Sequence, residues 1–464
     1  MARPKTFSIR TFGCQMNEHD SERLAGLMVA DGLEPADEGA EADVVVLNTC
    51  TIRENADLKL YSALGQLKSM KDRHPEMQIA VGGCMAQQAR GEILERANWV
   101  DVVFGTHNLA SAPALLRRAR NEGPLVEVLD GPDPAANREM APALYAVREL
   151  SFAAWMTIQT GCDNSCAFCI VPAVRGREIS RPFDDLIEEA TMLAGNGVSE
   201  ITLLGQNVNS YGRDLTRRGP LFAQLLRALG EVEGLERIRF TSPHPKDLRP
   251  ETIAAMAETA AVCPQLHLPL QSGSNRVLTS MRRGYTVERY LTRLRDARDA
   301  IDDLAVTTDL IVGFPGESDA EFDETLDVVA HAEYDSAYTF IFSPRPGTRA
   351  AAMGDDFVAP EVIKERFERL KQVLDRSALR KHEGRVARTE EVLVEGPSRR
   401  NDRMLSGRTR QGKLIHFASS GSAIRAGSLV MVDVIHGAPY HLIGELSHVV
   451  RAPRHKVRIP LLST

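Results

Sequence analysis

The apolar positions in the first quarter of the chain fall into short runs separated by amphipathic stretches. Strand-like runs occur at "TFSIRTFG" (6–13), "DVVVLNTC" (43–50) and "QIAVGGC" (78–84), and a helical period follows each of them. Alternation of strands and helices is typical of a parallel sheet with helices on its faces. We therefore predict an open α/β domain over residues 4–120, followed by a linker rich in Pro, Gly and Asn over residues 121–145.

The same alternation repeats six times over residues 146–382, which form the second predicted domain. Its strand-like runs are "AAWMTIQT", "EITLLGQN", "RIRFTS", "QLHLPL", "AVTTDLIVGF" and "SAYTFIFS". Its helical stretches are 183–196, 221–233, 248–260, 287–301, 318–332 and 360–382. Six strand–helix units are fewer than the eight of a closed barrel, so we predict a partial (βα)6 barrel. Over residues 383–452 short strands alternate with Gly, Ser and Asn turns, which predicts a small OB-like β-barrel.

Composition and charge narrow the class of protein. A hydrophobic content of 43% and a charged content of 26% are typical of a soluble globular protein. No run of eighteen apolar residues predicts a transmembrane helix. The net charge is −7, yet residues 380–464 contain fifteen Lys and Arg against seven Asp and Glu, which leaves −15 for the remainder. This basic end favours an anionic partner, with nucleic acid as the first candidate and a solvated charged surface as the alternative.

Seven cysteines are an odd number, and six of them lie in turn-like contexts with no secretory signal before them. We therefore expect reduced, metal-binding thiols in the cytoplasm rather than disulfides. Cys162, Cys166 and Cys169 lie in "TGCDNSCAFCIVP", directly after the first strand of the partial barrel, where barrel active sites lie. Neither a second CxxC nor paired histidines follow at zinc-finger spacing. The C-x3-C-x2-C loop therefore predicts three ligands to a four-iron cluster, with one iron left open to an exogenous ligand.

Cys14, Cys50 and Cys84 each follow a predicted parallel strand and precede a helix. Such turns share one edge of an open α/β sheet, so these thiols can meet in space although they are distant in sequence. They predict a second three-cysteine cluster site, and the alternative is three unrelated loop cysteines. The seventh, Cys263, ends a predicted helix and is expected to be a buried structural thiol.

The cysteine spacing after the first barrel strand resembles that of the radical S-adenosylmethionine superfamily. Together with the N-terminal cysteine domain and the small C-terminal barrel, it is similar to the methylthiotransferases from about Thr6 to Val450. In this resemblance the first domain is the methylthiotransferase domain and the last is the TRAM domain. The stretches "LLGQNVNSYG", "RFTSPHP", "LHLPLQSGS" and "FIFSPRPGT" are similar to the branch that acts on isopentenylated adenosine in tRNA.

The resemblance implies an enzyme with two 4Fe-4S clusters that replaces C–H by C–S–CH3 at carbon 2 of the adenine beside the anticodon. One S-adenosylmethionine would donate a methyl group, and a second would be cleaved to a 5′-deoxyadenosyl radical. Cys162, Cys166 and Cys169 would hold the radical-generating cluster, and no catalytic side chain is assigned beyond the cluster ligands. The sulfur-delivering auxiliary cluster would be held by Cys14, Cys50 and Cys84.

Several partners are implied by the same resemblance. They are tRNA carrying isopentenyl-adenosine, a low-potential electron donor such as flavodoxin or ferredoxin, and a sulfur source. We expect a cytoplasmic monomer without membrane association.

The motifs of the superfamily also suggest contacts to S-adenosylmethionine. Phe168 fits the aromatic residue near adenine, and "GQN" stands where many members carry Gly-Gly-Glu. "DLIVGFPGE" resembles the segment G-x-I-x-G-x-x-G-E, with Asp309 in place of the first glycine. The alternative for each candidate is a packing or helix-capping role. The cofactor-binding candidates are Phe168, Gln206, Asn207, Ser242, Gln271 and Gly313.

The basic C-terminal domain supplies candidates for tRNA phosphate contacts, which would make binding sensitive to salt. They are Arg399, Arg400, Arg403, Arg408, Arg410 and Lys413. Arg175 and Arg177, just beyond the first cysteine motif, could reach a substrate phosphate or form salt bridges. Selectivity would come from bases splayed out of the anticodon loop.

Three other functions are compatible with these motifs. One is methylthiolation of an aspartate of a ribosomal protein, and another is methylthiolation of threonylcarbamoyl-adenosine in tRNA. The third is a non-enzymatic iron–sulfur protein that binds RNA or senses redox state.

Overall fold

The computed structural model describes residues 4–37, 39–51, 54–131, 147–148, 150–216, 219–418 and 424–454. The chain folds into two compact units. The first comprises Met1–Glu149, Trp155–Asn164 and Cys169–Ile179, and the second comprises Leu150–Ala154, Ser165–Phe168 and Ser180–Thr464. Most of the second predicted domain and the whole of the third therefore share one unit, while stretches 155–164 and 169–179 of the second domain belong to the first unit.

The first unit is built on a six-stranded parallel sheet in the order β2-β1-β3-β4-β5-β6. Both β3 and β4 are buried along their whole length, which is why their sequences are near-continuous apolar runs. The strands are β1 Thr6–Phe12, β2 Glu34–Pro35, β3 Val44–Thr49, β4 Gln78–Gly83, β5 Val102–Phe104 and β6 Leu125–Glu127. The helices of the sheet are α1 Gln15–Ala30, α2 Glu54–Arg73, α3 Cys84–Ala89, α4 Glu92–Arg96 and α5 Ala112–Glu122.

Apolar side chains cover both faces of this sheet. Leu47, Leu64 and Ile79 belong to one buried cluster, and Leu24 and Val46 belong to another. The predicted parallel α/β architecture is confirmed.

The expectation that the linker begins at residue 121 was wrong. Helix α5 extends to Glu122, and residues 125–127 form β6, which pairs with β5. The run "LVEV" is apolar enough to extend the sheet, although Gly123 and Pro124 before it suggested a loop. Residues 132–145 of the predicted linker lie outside the described residues.

The second unit contains the six strand–helix units of the partial barrel. Its strands form two three-stranded sheets in the orders β11-β10-β7 and β12-β13-β14. The strands are β7 Ala153–Thr157, which continues into the first unit, β10 Glu200–Leu204, β11 Arg237–Phe240, β12 Gln265–His267, β13 Ala305–Val312 and β14 Ser336–Ile341. The first unit also contains β8 Gln159–Thr160, α6 Val171–Arg175 and the start of β9 Ile179–Ser180.

Helices follow the barrel strands where the periodicity predicts them. They are α7 Phe183–Gly195, α8 Phe222–Gly230, α9 Pro250–Glu258, α10 Asn275–Ser280, α11 Val287–Ala300, α12 Asp319–Ala332 and α13 Pro360–Glu383. Helix α10 was not predicted, because its six residues are too short to establish a helical period. Helix α12 begins with a capping box, in which Ser318 and Glu321 satisfy each other's backbone N–H groups. None of the described helices is long and apolar enough to cross a membrane.

The end of the chain forms a closed five-stranded barrel in the order β15-β16-β17-β19-β18, as the sequence predicts. Its strands are β15 Thr389–Ser398, β16 Asn401–Thr409, β17 Leu414–Ala418, β18 Leu429–Ala438 and β19 His441–Arg451. The β17–β19 pair is parallel, and the pairs β15–β16, β15–β18, β16–β17 and β18–β19 are antiparallel. Val392, Ile415, Phe417 and Val430 are among its buried core residues.

Buried polar contacts join the two barrels of the second unit. Arg237 on β11 is 1% exposed, and its guanidinium donates to the Arg408 carbonyl at 2.9 Å and to Glu391 Oε1 at 2.8 Å. Lys413 Nζ lies 2.6 Å from Asp335 Oδ1, and both side chains are nearly inaccessible. These contacts explain why the partial barrel and the C-terminal barrel form one unit.

Candidate cluster and cofactor sites

Cys14, Cys50 and Cys84 lie just beyond the carboxyl ends of β1, β3 and β4, which are adjacent strands. The register pairs Phe12 with Thr49 and Thr49 with Gly83, so the residues that follow emerge at one edge. Cys50 and Cys84 are buried and Cys14 is partly buried. Topology therefore brings three thiols of distant sequence to one sheet edge.

Two buried asparagines hold the loops that carry these cysteines. Asn17 Oδ1 accepts from the Cys14 amide at 3.4 Å, and Asn17 Nδ2 donates to Asn48 Oδ1 at 3.3 Å. Asn48 Nδ2 donates in turn to the Asn17 carbonyl at 2.8 Å. Gly83 has φ of +93°, and a Cβ there would lie 2.4 Å from Asn48 Oδ1, so glycine is required before Cys84.

The electrostatic environment at this edge favours thiolate at one of the three cysteines. A hydrogen bond with Cys50, assisted by the charge of Arg175 and by backbone N–H groups, lowers the pKa of Cys14 to about 6. Burial raises the pKa of Cys84, while the Arg175 guanidinium opposes that rise. Thiolates are the ligands of iron–sulfur clusters, so this donor set fits such a group.

The second cysteine set lies in the loop after β7. In the first unit, the Cys162 amide donates to the Gly176 carbonyl at 3.1 Å, and Asp163 Oδ1 accepts from the Glu178 amide at 3.1 Å. In the second unit, Cys166 Sγ accepts from Arg283 Nη1 at 3.4 Å. Hydrogen bonds therefore hold the loop at Cys162, Asp163 and Cys166.

No group of three His, Cys, Asp or Glu side chains among the described residues is arranged to hold a single metal ion. The thiolates of a four-iron cluster bind different irons, so they need not converge on one point. The three cysteines at the sheet edge and the C-x3-C-x2-C loop therefore suit clusters rather than a mononuclear ion.

Two cofactor candidates, Ser242 and Gln271, have strained backbones. Their φ angles are +59° and +72°, which residues with a side chain rarely adopt. Gln271 is buried, and its Oε1 has no hydrogen-bond partner among the residues that the structure describes. A buried acceptor without a partner is costly, so this amide fits the expectation that it contacts a polar ligand.

The other cofactor candidates have internal contacts. Phe168 packs beside Ala167 in an apolar cluster of the partial barrel. Asn207 Nδ2 donates to Asp247 Oδ2 at 2.8 Å, whereas Gln206 is half-buried. At Gly313 the backbone has φ of +75°, and a Cβ would lie 2.6 Å from a methylene of the Ile363 side chain. Packing against α13 therefore accounts for this glycine.

The basic residues of the C-terminal barrel divide into exposed and buried groups. Arg399 and Arg400 form the exposed turn between β15 and β16, and Arg403 is also exposed. Arg408 is exposed but ion-paired with Glu395, at 3.0 Å. The remaining two candidates, Arg410 and Lys413, make contacts within the second unit.

Lys413 was expected to contact tRNA phosphate, and the structure contradicts this expectation. Its side chain is 4% exposed and bound to Asp335, because it lies where the small barrel packs on the partial barrel. Arg410 is half-buried and its guanidinium caps the Ala260 carbonyl. Arg175, a second candidate for phosphate contact, is also buried, whereas Arg177 is 90% exposed and lies 3.8 Å from Asp163.

Sequence reasoning missed several side chains at these sites. Arg283 contacts Cys166, and its guanidinium lies 5.5 Å from the Tyr285 ring centroid. Burial and the charges of Arg283 and Lys246 lower the pKa of His244 to about 2, so this imidazole is neutral. Arg283 lies in "MRRGY" and His244 in "TSPHP", and neither stretch of sequence reveals the partners of these side chains.

A polar group was also missed on strands β12 and β13. His267 Nδ1 lies 2.9 Å from Thr307 Oγ1, and His267 Nε2 lies 3.4 Å from Asp309 Oδ1. Along β13, residues 306, 308, 310 and 312 are fully buried, whereas Thr307 and Asp309 on the alternate face are partly accessible. Asp309, which departs from the glycine of the superfamily segment, is therefore part of a polar group on that face.

The class of protein follows from the fold and the cysteine loop. The model of the radical SAM superfamily matches residues 156–329, and that of uncharacterized protein family UPF0004 matches residues 6–105. The fold is similar to that of the radical S-adenosylmethionine methyltransferase TsrM from Kitasatospora setae, with a TM-score of 0.52, 13% identity and coverage of 75% of each chain. The chain thus contains the fold of the radical SAM proteins.

Closer relatives define the family. The tRNA-2-methylthio-N(6)-dimethylallyladenosine synthase of Thermobifida fusca is 52% identical over 451 residues, 96% of this chain and 90% of that protein. The enzyme of the same name from Corynebacterium jeikeium is 51% identical over 449 residues, 95% of this chain and 86% of that protein. The chain belongs to the family of tRNA-2-methylthio-N(6)-dimethylallyladenosine synthases, and the resemblance to methylthiotransferases is confirmed.

Proposed function

We propose that the protein is a radical SAM methylthiotransferase that modifies carbon 2 of N(6)-isopentenyl-adenosine (dimethylallyladenosine) beside the anticodon of tRNA. The observation that carries this proposal is identity above 50% along nearly the whole chain to synthases of that product. The two separate three-cysteine sets support it, because the reaction requires both a radical source and a sulfur donor. The relatives' names favour this substrate over a ribosomal-protein aspartate or threonylcarbamoyl-adenosine.

Cys162, Cys166 and Cys169 would hold the radical-generating 4Fe-4S cluster. Cys14, Cys50 and Cys84 would hold the auxiliary cluster at the sheet edge. When bound, the two clusters supply the electron that cleaves S-adenosylmethionine and the sulfur that becomes the methylthio group. The protein contributes thiolates on short loops whose positions are fixed by backbone and asparagine hydrogen bonds.

Gln271 and Ser242 are our main candidates for S-adenosylmethionine contacts. The buried Oε1 of Gln271 could accept from a donor on the cofactor, since it has no partner among the described residues. Strained backbone at both positions supports a functional constraint. Phe168, Gln206, Asn207 and Gly313 remain candidates with competing packing roles.

The exposed arginines Arg399, Arg400 and Arg403 are proposed to contact the phosphates of tRNA. They lie at or next to the turn between β15 and β16, and all three side chains are exposed. Arg408 could join them only by exchanging its pairing with Glu395. We leave Arg410 and Lys413 out of this surface because both are engaged within the second unit.

The reaction also requires partners outside the chain. We propose a low-potential electron donor such as flavodoxin or ferredoxin and a source of replenishing sulfur. Action on tRNA is compatible with the expected cytoplasmic location, and we retain the prediction of a monomer.

The test is anaerobic methylthiolation of tRNA isolated from a strain that lacks the modification. The protein is reconstituted with iron and sulfide, reduced with dithionite and supplied with S-adenosylmethionine, and the digested nucleosides are analysed by mass spectrometry. We expect a methylthio mass gain on isopentenyl-adenosine. A Cys50→Ala variant should lose that gain while still forming 5′-deoxyadenosine.

Other outcomes would redirect the assignment. Formation of 5′-deoxyadenosine by the parent protein without any gain on tRNA would refute the tRNA substrate and favour a ribosomal protein. Binding of tRNA with no cleavage of S-adenosylmethionine would favour the non-enzymatic iron–sulfur protein.

A further inference from the structure

A buried arginine lies against the cysteines at the edge of the first unit's sheet. Arg175 ends helix α6 and is 6% exposed. Its Nε donates to Cys84 Sγ at 3.4 Å, and its Nη2 lies 2.8 Å from Asp20 Oδ2. The guanidinium thus spans from a carboxylate on α1 to a thiol that begins α3.

Stability alone is a weak explanation for this ion pair. Removing two charges from water costs several kcal/mol per ion, and a well-packed apolar pair of similar volume often serves folding equally well. Here the guanidinium is placed next to an apolar cluster formed by Cys84, Ile170 and Val174. Low polarity strengthens its interaction with the sulfur.

We propose that Arg175, oriented by Asp20, is a positioning residue that raises the reduction potential of the cluster held by Cys14, Cys50 and Cys84. The proposal rests on the proposed function only for the presence of that cluster. A donor N–H and a positive charge at a ligating sulfur stabilise the more electron-rich state of an iron–sulfur centre. Asp20 fixes the direction of the donor and offsets part of its charge.

The second unit contains a similar contact at the other cysteine set. Arg283 is 6% exposed, and its Nη1 donates to Cys166 Sγ at 3.4 Å. Its Nε donates to the Tyr285 hydroxyl at 3.3 Å, whereas Arg175 is paired with a carboxylate. Arg283 is therefore a comparable arginine at the cluster proposed for Cys162, Cys166 and Cys169.

The experiment is a spectroscopically monitored redox titration of the full chain, reconstituted anaerobically. To observe the auxiliary cluster alone, every variant also carries alanine at Cys162, Cys166 and Cys169. Iron and sulfide are quantified first, and electron paramagnetic resonance then reports the reduced fraction at each potential. No step of the measurement depends on tRNA.

Arg175→Met and Asp20→Asn should shift the potential in opposite directions. Loss of the guanidinium is expected to lower the ratio of reduced to oxidised cluster about tenfold at a fixed potential, which is ~59 mV for one electron. Asp20→Asn keeps Arg175 but removes the compensating negative charge, so it should raise that ratio. If the ion pair only stabilised the fold, the two variants would shift the reduction potential in the same direction or leave it unchanged.

The matched control is Arg181→Met, which breaks another inaccessible ion pair in the second unit. Arg181 Nη2 lies 2.6 Å from Glu189 Oε2, and the two side chains are 12% and 3% exposed. This control should lose stability without moving the potential. An unchanged potential in Arg175→Met at full iron content, or shifts of the same sign in both test variants, would overturn the proposal.

Two further outcomes remain distinguishable. If Arg175→Met fails to retain iron, Asp20→Asn still decides the proposal, because a potential that does not rise contradicts it. If the parent background with alanine at the loop cysteines binds no cluster at all, the assignment of the auxiliary cluster fails, and this inference fails with it.

Discussion

Replacing Lys413 with methionine should loosen the C-terminal barrel without removing a tRNA contact. Lys413 Nζ lies 2.6 Å from Asp335 Oδ1, and the two side chains are 4% and 10% exposed. Asp335 Oδ2 also accepts from the Val306 amide at 2.8 Å. Methionine fills a similar volume, so the main loss is the positive partner of a buried carboxylate.

The magnitude follows from what the substitution leaves behind. Removing one member of a buried ion pair typically costs about 3–5 kcal/mol, because the remaining charge is uncompensated. The Val306 amide still donates to Asp335, so we take the lower end, about 3 kcal/mol. The double variant Lys413→Met/Asp335→Asn removes both charges, and it should recover most of that loss.

Hydrogen exchange measured by mass spectrometry localises the effect. If local opening governs exchange, about 3 kcal/mol corresponds to an acceleration of about 100-fold for amides of β17 and the start of β13. The double variant should exchange much more slowly than Lys413→Met. Two results would refute this reasoning. One is that the amides of Lys413→Met exchange as slowly as those of the parent protein, and the other is that this variant loses tRNA affinity while its amides remain protected.

Three further predictions concern separate parts of the second unit. Arg400→Ala should weaken tRNA binding and reduce the slope of log K against log salt by about 0.8, measured by filter binding; an unchanged slope would exclude a phosphate contact. Burial, aided by the charge of Lys413, lowers the pKa of His382 to about 4 from 6.5, so the unfolded state gains the proton first as pH falls. The free energy of unfolding, measured by urea titration, should therefore drop by about 2 kcal/mol between pH 7 and pH 5. The variant His382→Gln should not show that drop, and an equal pH dependence in both proteins would contradict this role of His382. Gln271→Gly should be about 1 kcal/mol more stable than Gln271→Ala, because glycine adopts positive φ without strain. Both variants should bind S-adenosylmethionine more weakly than the parent protein in equilibrium dialysis. Parent-like binding by both would exclude Gln271 from the cofactor site.

The sequence allowed the fold to be predicted where apolar periodicity and topology act together. Strands β1, β3 and β4 are clear apolar runs, and parallel pairing then requires Cys14, Cys50 and Cys84 to emerge at one edge. Strand β6 was missed because three residues after a Gly-Pro step carry no period of their own. A short strand that forms only by pairing with a neighbouring strand has little periodicity in its own sequence, so it is hard to predict.

Side-chain partners were much harder to predict than elements. Arg175 and its partner Asp20 are 155 residues apart in sequence, and Lys413 and Asp335 are 78 apart. A count of basic residues treats Lys413 and Arg400 alike, although one is buried against the partial barrel and the other is exposed. Charge composition therefore could not separate exposed cations from the buried cations that hold the unit together.

The buried contacts of Arg237 hold the C-terminal barrel at a fixed position on the partial barrel. Because Arg237 binds the backbone of β16 and the side chain of Glu391, the arginine turn of that barrel has a set distance from the mouth of the partial barrel. A flexible tether would allow a range of reaches and a lower effective concentration. An RNA held by the turn at Arg399 and Arg400 would instead place a nucleotide at the mouth of the partial barrel only if that nucleotide lies at a fixed distance along the RNA backbone. This distance, as well as the identity of the base, would then determine which nucleotide is selected.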